Sequence, residues 1–233
     1  MTLNFSDLAA RLRAGETASP ADLYDVLTAS PAATFALMDL AAELRATRFG
    51  STITATNLLG APAPQVASVR LEVTAPLDAD ALAANLADLA ADPAIERIDV
   101  DYVGRPALAP MEALRVLAAA RLAAPAKSLH LGESREMTLR SLQPLAVGAL
   151  DSLVLTVDPA QPRLVFEDLK LIVGAGLTIA DAGDRDLVAE YVEHLRAAGV
   201  EDADAYAQVA LEGAASGGGC GGNCACGSGG CGA

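Results

Sequence analysis

The sequence predicts an α/β fold with a mostly parallel sheet and helices packed on it. Three observations point there. From Ser51 onward, short β-branched or alternating segments take turns with helix-length amphipathic segments. The 233 residues are 52% hydrophobic and 20% charged, enough to bury a sizeable core and too apolar for a disordered chain. Aromatic content is 3% with no Trp, so the core has to be aliphatic and Ala-rich, a composition helices tolerate at little entropic cost.

The elements follow in order. Leu8 and Leu12 mark a first helix, then Ser19-Pro20 and Ser30-Pro31 each supply an N-cap and a first-turn proline. In the longer helix after Pro31 the apolar positions Phe35, Leu37, Met38, Leu40, Ala41 and Leu44 recur at helical spacing, with Arg45 elsewhere, and Gly50 is placed to stop it. Residues 1–50 thus read as a helical N-terminal module. The β-branched stretch 51–59 is a strand, 60–64 (GAPAP) is a stiff connector, and Val69, Leu71 and Val73 alternate with Arg70, Glu72 and Thr74 in a second strand.

After Asp78 as N-cap come a helix on Leu82, Leu86 and Leu89 and the strand 98–103, which complete a βαβ unit. Helix 111–123, strand 128–131, helix 137–148 and strand 152–157 repeat the pattern, and a short helix 165–173 ends at Gly174. Residues 51–180 form the sheet domain in this reading, and 181–213 add two helices. Beyond Gly213 glycine dominates and no apolar period survives, so 214–233 read as a disordered tail.

Net charge is −14, and no segment gathers the basic residues that contact with phosphates requires. Nucleic acid and anionic membrane are excluded as partners on that ground. No apolar run approaches the ~20 residues of a membrane span, and the N-terminus carries charges where a signal peptide has its apolar stretch. The chain reads as soluble and cytoplasmic.

All four cysteines, Cys220, Cys224, Cys226 and Cys231, lie in the tail as Cys-x3-Cys-x-Cys-x4-Cys. Thiolates on a glycine backbone can wrap a soft metal or an iron–sulfur cluster, and a reducing compartment disfavours disulfides. The spacing is not that of a zinc ribbon, so the ligand set stays open between an iron–sulfur cluster and another thiophilic metal. Modification of the tail as a peptide substrate, a sulfur-carrier role and a tail without chemistry are the other readings.

In the body, His130 alternates with Leu129 and Leu131 on its strand, and Ser134-Arg135-Glu136 follows directly, where the active sites of βα folds collect. Asp99 and Asp101 share one strand face. Each has a plain reading as well: a satisfied core histidine, a loop arginine paired with a first-turn carboxylate, a polar sheet face. His194 reads as solvated. Outside the glycine-rich tail there is no Gly-x-Gly-x-x-Gly, the chain has no Walker loop, Gly-x-Ser-x-Gly or His-Glu-x-x-His, and GAGL (174–177) is too short to cradle a phosphate.

From Arg105 through Leu177 the chain resembles the C-terminal part of biotin synthase and its radical S-adenosylmethionine relatives. The shared features run in order: Leu114-Arg115 through Arg121, Pro125, Ser134-Arg135-Glu136, Gly148-Ala149 with Ser152, Thr156, Glu167-Asp168 and Gly176-Leu177. Residues 18–27 and 40–50 are similar to that family's first helices, and 66–104 to its late barrel strands. The resemblance implies a partial TIM-like (βα) barrel and aligns His130 with an arginine that ligates a cluster in biotin synthases. It also exposes a gap. The Cys-x3-Cys-x2-Cys loop that binds the S-adenosylmethionine-cleaving cluster should follow the first strand, and here the chain passes through Gly60 to Pro64 instead.

S-adenosylmethionine is therefore not an expected cofactor. The leading expectation is a non-catalytic, internally shortened relative whose tail binds a cluster or metal in support of a partner enzyme, with His130, Arg135 and Glu136 as the cofactor-binding residues of the body. A sheet without its middle strands exposes ladder edges, so a homodimer or a radical S-adenosylmethionine or iron–sulfur enzyme subunit is the expected partner. A precursor that presents a Gly/Cys peptide for modification is the second expectation. The third is an enzyme whose tail folds back near His130 and Arg135 to supply the missing thiolates.

Overall fold

The computed structural model describes residues 4–61 and 65–215. The four tail cysteines lie outside them. Three capped helices open the chain: α1 (Phe5–Arg13), α2 (Pro20–Leu27) and α3 (Pro31–Phe49). Ser19 and Asp22 form a reciprocal capping box on α2, and Ser30 caps α3 through the Ala33 N–H at 3.3 Å. Gly50, at φ 66°, ends α3 in a conformation that costs a glycine nothing.

Six strands follow, β1 (Thr52–Thr56), β2 (Ser68–Val73), β3 (Arg97–Tyr102), β4 (Ser128–Leu131), β5 (Ser152–Val154) and β6 (Thr178–Ile179). They form one sheet in the order β2-β3-β4-β5-β1-β6, parallel throughout. Between them run α4 (Ala79–Ala91), α5 (Pro110–Ala123), α6 (Arg135–Leu139), α7 (Gln143–Val147) and α8 (Arg163–Gly174), with α9 (Leu187–Ala197) and α10 (Ala203–Ala215) at the end. The fold is α/β with a partial TIM-like sheet. Among the described residues no helix is long and apolar enough to cross a membrane.

The sheet has two unlike faces. Ile53, Leu71, Val73, Ile98, Val100, Leu129, Leu131 and Leu153 are buried on one, where the Tyr102 hydroxyl donates to the Ala113 carbonyl of α5 at 2.9 Å. The other face carries Arg70, Glu72, Arg97, Asp99, Asp101 and His130, alternating with the first set. Helix α5 is buried almost all round from Ala113 to Ala123, which explains its alanines: small side chains let helices and sheet approach from several directions.

Two expected elements end differently in the structure, each for a local reason. The helix predicted over 137–148 is broken into α6, a 3-10 turn (Arg140–Leu142) and α7, because Pro144 lacks an N–H and its ring excludes a helical carbonyl four residues earlier. Strand 152–157 stops at Val154, since the Thr156 N–H turns to the Asp168 carboxylate at 2.8 Å instead of a ladder partner. Arg45, expected off the buried face of α3, is 1% exposed. The two-residue β6 is too short to leave a period in the sequence.

The two ends of the sheet, β2 and β6, are finished differently. On β1, β6 completes the ladder through Thr178 N–H to the Ser51 carbonyl at 2.9 Å and Ala180 N–H to the Ile53 carbonyl at 2.8 Å. The turn after β1 is then clamped by the Tyr191 hydroxyl on the Asn57 carbonyl at 2.8 Å and by Arg185 on the Leu59 carbonyl at 2.6 Å. β2 has β3 on one side and no described strand on the other.

Candidate functional site

At the N-terminal ends of the strands, Asp151 gathers two buried arginines. Its carboxylate accepts from Arg45 Nε at 3.1 Å, from an Arg121 Nη2 and from the Leu129 N–H at 2.9 Å. The remaining donors are used on carbonyls: Arg45 on Gly50 and Thr52, Arg121 on Lys127 and Ala149. Arg121 also lies over the Phe49 ring at 5.4 Å. Burial pulls the Arg121 guanidinium below its ordinary pKa against the pull of Asp151. Every group is committed to holding β1, β4 and β5 in place, so this end is structural.

Opposite, the C-terminal ends form a polar cleft of ≈ 370 Å³ lined by Arg70, Asp99, Asp101, His130, Glu133 and Ser134, among others. Ladder register explains why these residues meet. Arg70 lies beside Asp99, Asp99 beside His130, His130 beside Ser152 and Ser152 beside Thr54, a row across five strands on the polar face. His130 Nδ1 sits 2.9 Å from Ser152 Oγ, leaving Nε2 as the imidazole's other polar atom. Arg97 grips Asp99 at 2.5 Å, and Arg70 pairs with Asp101.

Electrostatics here favour a neutral imidazole. Burial pushes His130 below its ordinary pKa; the nearby Asp99 opposes this, while Arg97 and Arg135 add to it. Burial disfavours the Asp101 carboxylate, but hydrogen bonds from Ser134 and Arg70 outweigh it and hold Asp101 below the usual carboxylate range. The Ser134 Oγ in turn accepts the Tyr102 N–H at 3.1 Å. Such a cleft offers one neutral imidazole beside Asp99 and Asp101, whose carboxylates already have partners.

Arg135 and Glu136 do not join His130 in this cleft. Arg135 is 1% exposed, paired with the buried Asp168 of α8, and donates to Gln143 at 3.1 Å and to the Gly132 carbonyl at 3.4 Å. Asp168 also accepts the Thr156 N–H, so the pair ties the loop after β4 to the end of β5 and to α8. Glu136 accepts from Gln143 at 3.1 Å and lines a separate groove of ≈ 700 Å³ with Glu167, Lys170, Val173 and Leu211. Burial raises its pKa, with Arg135 opposing. This groove is larger but lies against α7 and α8, away from the strand ends where polar groups from several elements converge, so the smaller cleft is the better site.

Ser152 and Arg70 escaped sequence reading because their roles depend on cross-strand register. Asp99 and Asp101 do share a face, each tied to an arginine, and His194 is exposed. Among the described residues no group of three or more His, Cys, Asp or Glu is placed to hold a metal ion, and none of these residues is a cysteine. One imidazole and paired carboxylates are a hard, nitrogen and oxygen donor set, which does not fit an iron–sulfur cluster on its own.

No protein-family model matches the chain. Curated relatives do. The chain is 39% identical over 77 residues to a biotin synthase of Kocuria rhizophila, 40% over 75 residues to that of Renibacterium salmoninarum and 37% over 81 residues to that of Staphylococcus epidermidis. Over that third of its length, this chain is related to biotin synthase. The matches cover 16%, 22% and 25% of those relatives, so the chain spans a minor part of a biotin synthase.

Proposed function

We propose that the chain is a non-catalytic, biotin-synthase-like accessory protein whose tail cysteines, Cys220, Cys224, Cys226 and Cys231, bind an iron–sulfur cluster or another thiophilic metal in support of a partner enzyme. The observation that carries this reading is the division of labour within the chain. A body related to biotin synthase contains no cysteine, and every thiol sits on a glycine-rich segment after it. Thiolates are the soft ligands that clusters require. In this reading His130 is the body's contact with a tail-bound cofactor, Arg135 fixes the loop that walls its cleft, and Glu136 stays on the far side of that loop.

Anaerobic purification with iron, acid-labile sulfide and zinc analysis and an ultraviolet–visible spectrum tests the proposal. The full chain is expected to carry metal, and the chain with all four cysteines changed to serine is expected to lose it while keeping its circular dichroism. Metal-free protein with four titratable thiols would overturn the reading. Intact-mass changes confined to the tail would point to a peptide precursor instead.

A further inference from the structure

The geometry points to a second copy of this chain as the occupant of the free edge of β2, paired antiparallel so that Arg70 of each copy faces Glu72 of the other. Three features of that edge carry the pairing. First, β2 stays in continuous parallel register with β3 from Ser68 to Val73, without proline or bulge, and no described strand lies along its other side. Natural edges are normally blunted by one of those devices or covered, because unpaired N–H and C=O groups template further pairing.

Second, the two ends of the interrupted sheet are treated differently. At the other end β6 covers the β1 edge and the turn clamps hold the segment after β1, so the edge strand there is two residues long against six in β2. In a closed barrel such an edge would meet a neighbouring strand. Nothing in the described chain provides that neighbour.

Third, the charges select one register. A twofold axis perpendicular to the sheet keeps both helix layers on the same side, so residues directly opposite must come from the same face. Arg70 and Glu72 occupy the polar face with side chains 63% and 58% exposed, while Leu71 and Val73 are each 3% exposed on the other. Sliding the copies by one step in either direction sets Arg70 against Arg70 or Glu72 against Glu72. Only the register centred on Leu71 gives two Arg–Glu pairs, with Val69 facing Val73, and like charges directly opposite are destabilising. The result is one continuous sheet with both His130 clefts on the same face. Because the pairing needs nothing from the tail, it stands or falls independently of metal binding there.

The test is sedimentation velocity of the full chain from about 1 to 100 µM, a range in which association between weakly paired copies shows as a concentration-dependent mass. A dimer is expected. Glu72→Arg places two arginines opposite each other and should weaken the dimer about tenfold or more, and Arg70→Glu with Glu72→Arg should restore it. Amide exchange on the unaltered chain, which no folding defect can confuse, should show β2 protection rising with concentration. A monomer throughout the range, a dimer indifferent to Glu72→Arg, or concentration-independent β2 exchange would overturn the pairing.

Discussion

The two ends of the sheet use the same chemistry for opposite purposes. At the N-terminal end Arg45, Arg121 and Asp151 are 1%, 0% and 7% exposed, and every donor is spent on the chain itself. Toward the C-terminal end Arg70 and Asp101 form a pair that stays open to solvent, with side chains 63% and 21% exposed. Burial decides the outcome. A buried ion pair is hard to break because its survivor is left charged in a low dielectric, whereas a half-exposed pair can exchange its partner for a ligand or a second chain at small cost.

The largest expected effect tests the closed end. Asp151→Ala leaves two guanidiniums facing each other without a counter-ion and removes the acceptor of the Leu129 N–H. Breaking a buried pair of this kind costs about 3–5 kcal/mol. Urea denaturation should show that loss, a large fraction of a domain's total stability. A loss below about 1 kcal/mol would mean that the hub is hydrated and the contrast between the ends is wrong.

Next in size is the Arg135–Asp168 pair. It bonds fewer strands than Asp151 does, and Arg135 keeps Gln143 and Gly132 as acceptors when Asp168 is neutralised. Asp168→Asn should therefore cost about 1.5–3 kcal/mol, the range for hydrogen bonds to charged groups. Arg135→Met combined with Asp168→Leu should recover part of it, since paired apolar replacements remove both desolvation penalties. A double variant no better than the sum of the singles would show that the two residues do not act as a unit.

This pair also shows what a sequence can disclose. The alternation of Leu129, His130 and Leu131, the Ser-Pro caps and the Leu-rich helices are local signals, and the α/β architecture follows from them. The partnership of Arg135 with Asp168, or of Arg45 with Asp151 across 106 positions, is not local, and no period encodes it. The same holds for the site. His130, Asp99 and Asp101 stand out because strand alternation puts them on one face, but Ser152 and Arg70 enter only through ladder register. Arg135 and Glu136, adjacent in sequence to the cleft, were separated from it by a buried ion pair that competes for the arginine.

The open end should respond to pH. Burial lowers the His130 pKa in the folded chain, so below its ordinary value of about 6.5 the unfolded chain takes up the proton first. Stability from this group is full above that value and is lost as pH falls toward the folded pKa, with a slope of at most about 1.4 kcal/mol per pH unit. His130→Asn should flatten that part of the profile in urea midpoints measured between about pH 7.5 and 5.5. An unchanged slope would place the proton uptake elsewhere.

The smallest effect belongs to the surface. Arg196 pairs with both Glu193 and Asp204, linking α9 to the start of α10, with side chains 46%, 68% and 66% exposed. Arg196 has as many charged partners as Asp151, two, yet water solvates all three groups in either state and salt screens them. Arg196→Ala should leave the urea midpoint unchanged within error. If it instead destabilised the chain as Asp151→Ala does, the number of charged partners rather than their burial would govern stability in this protein, and the distinction between its two sheet ends would lose its physical basis.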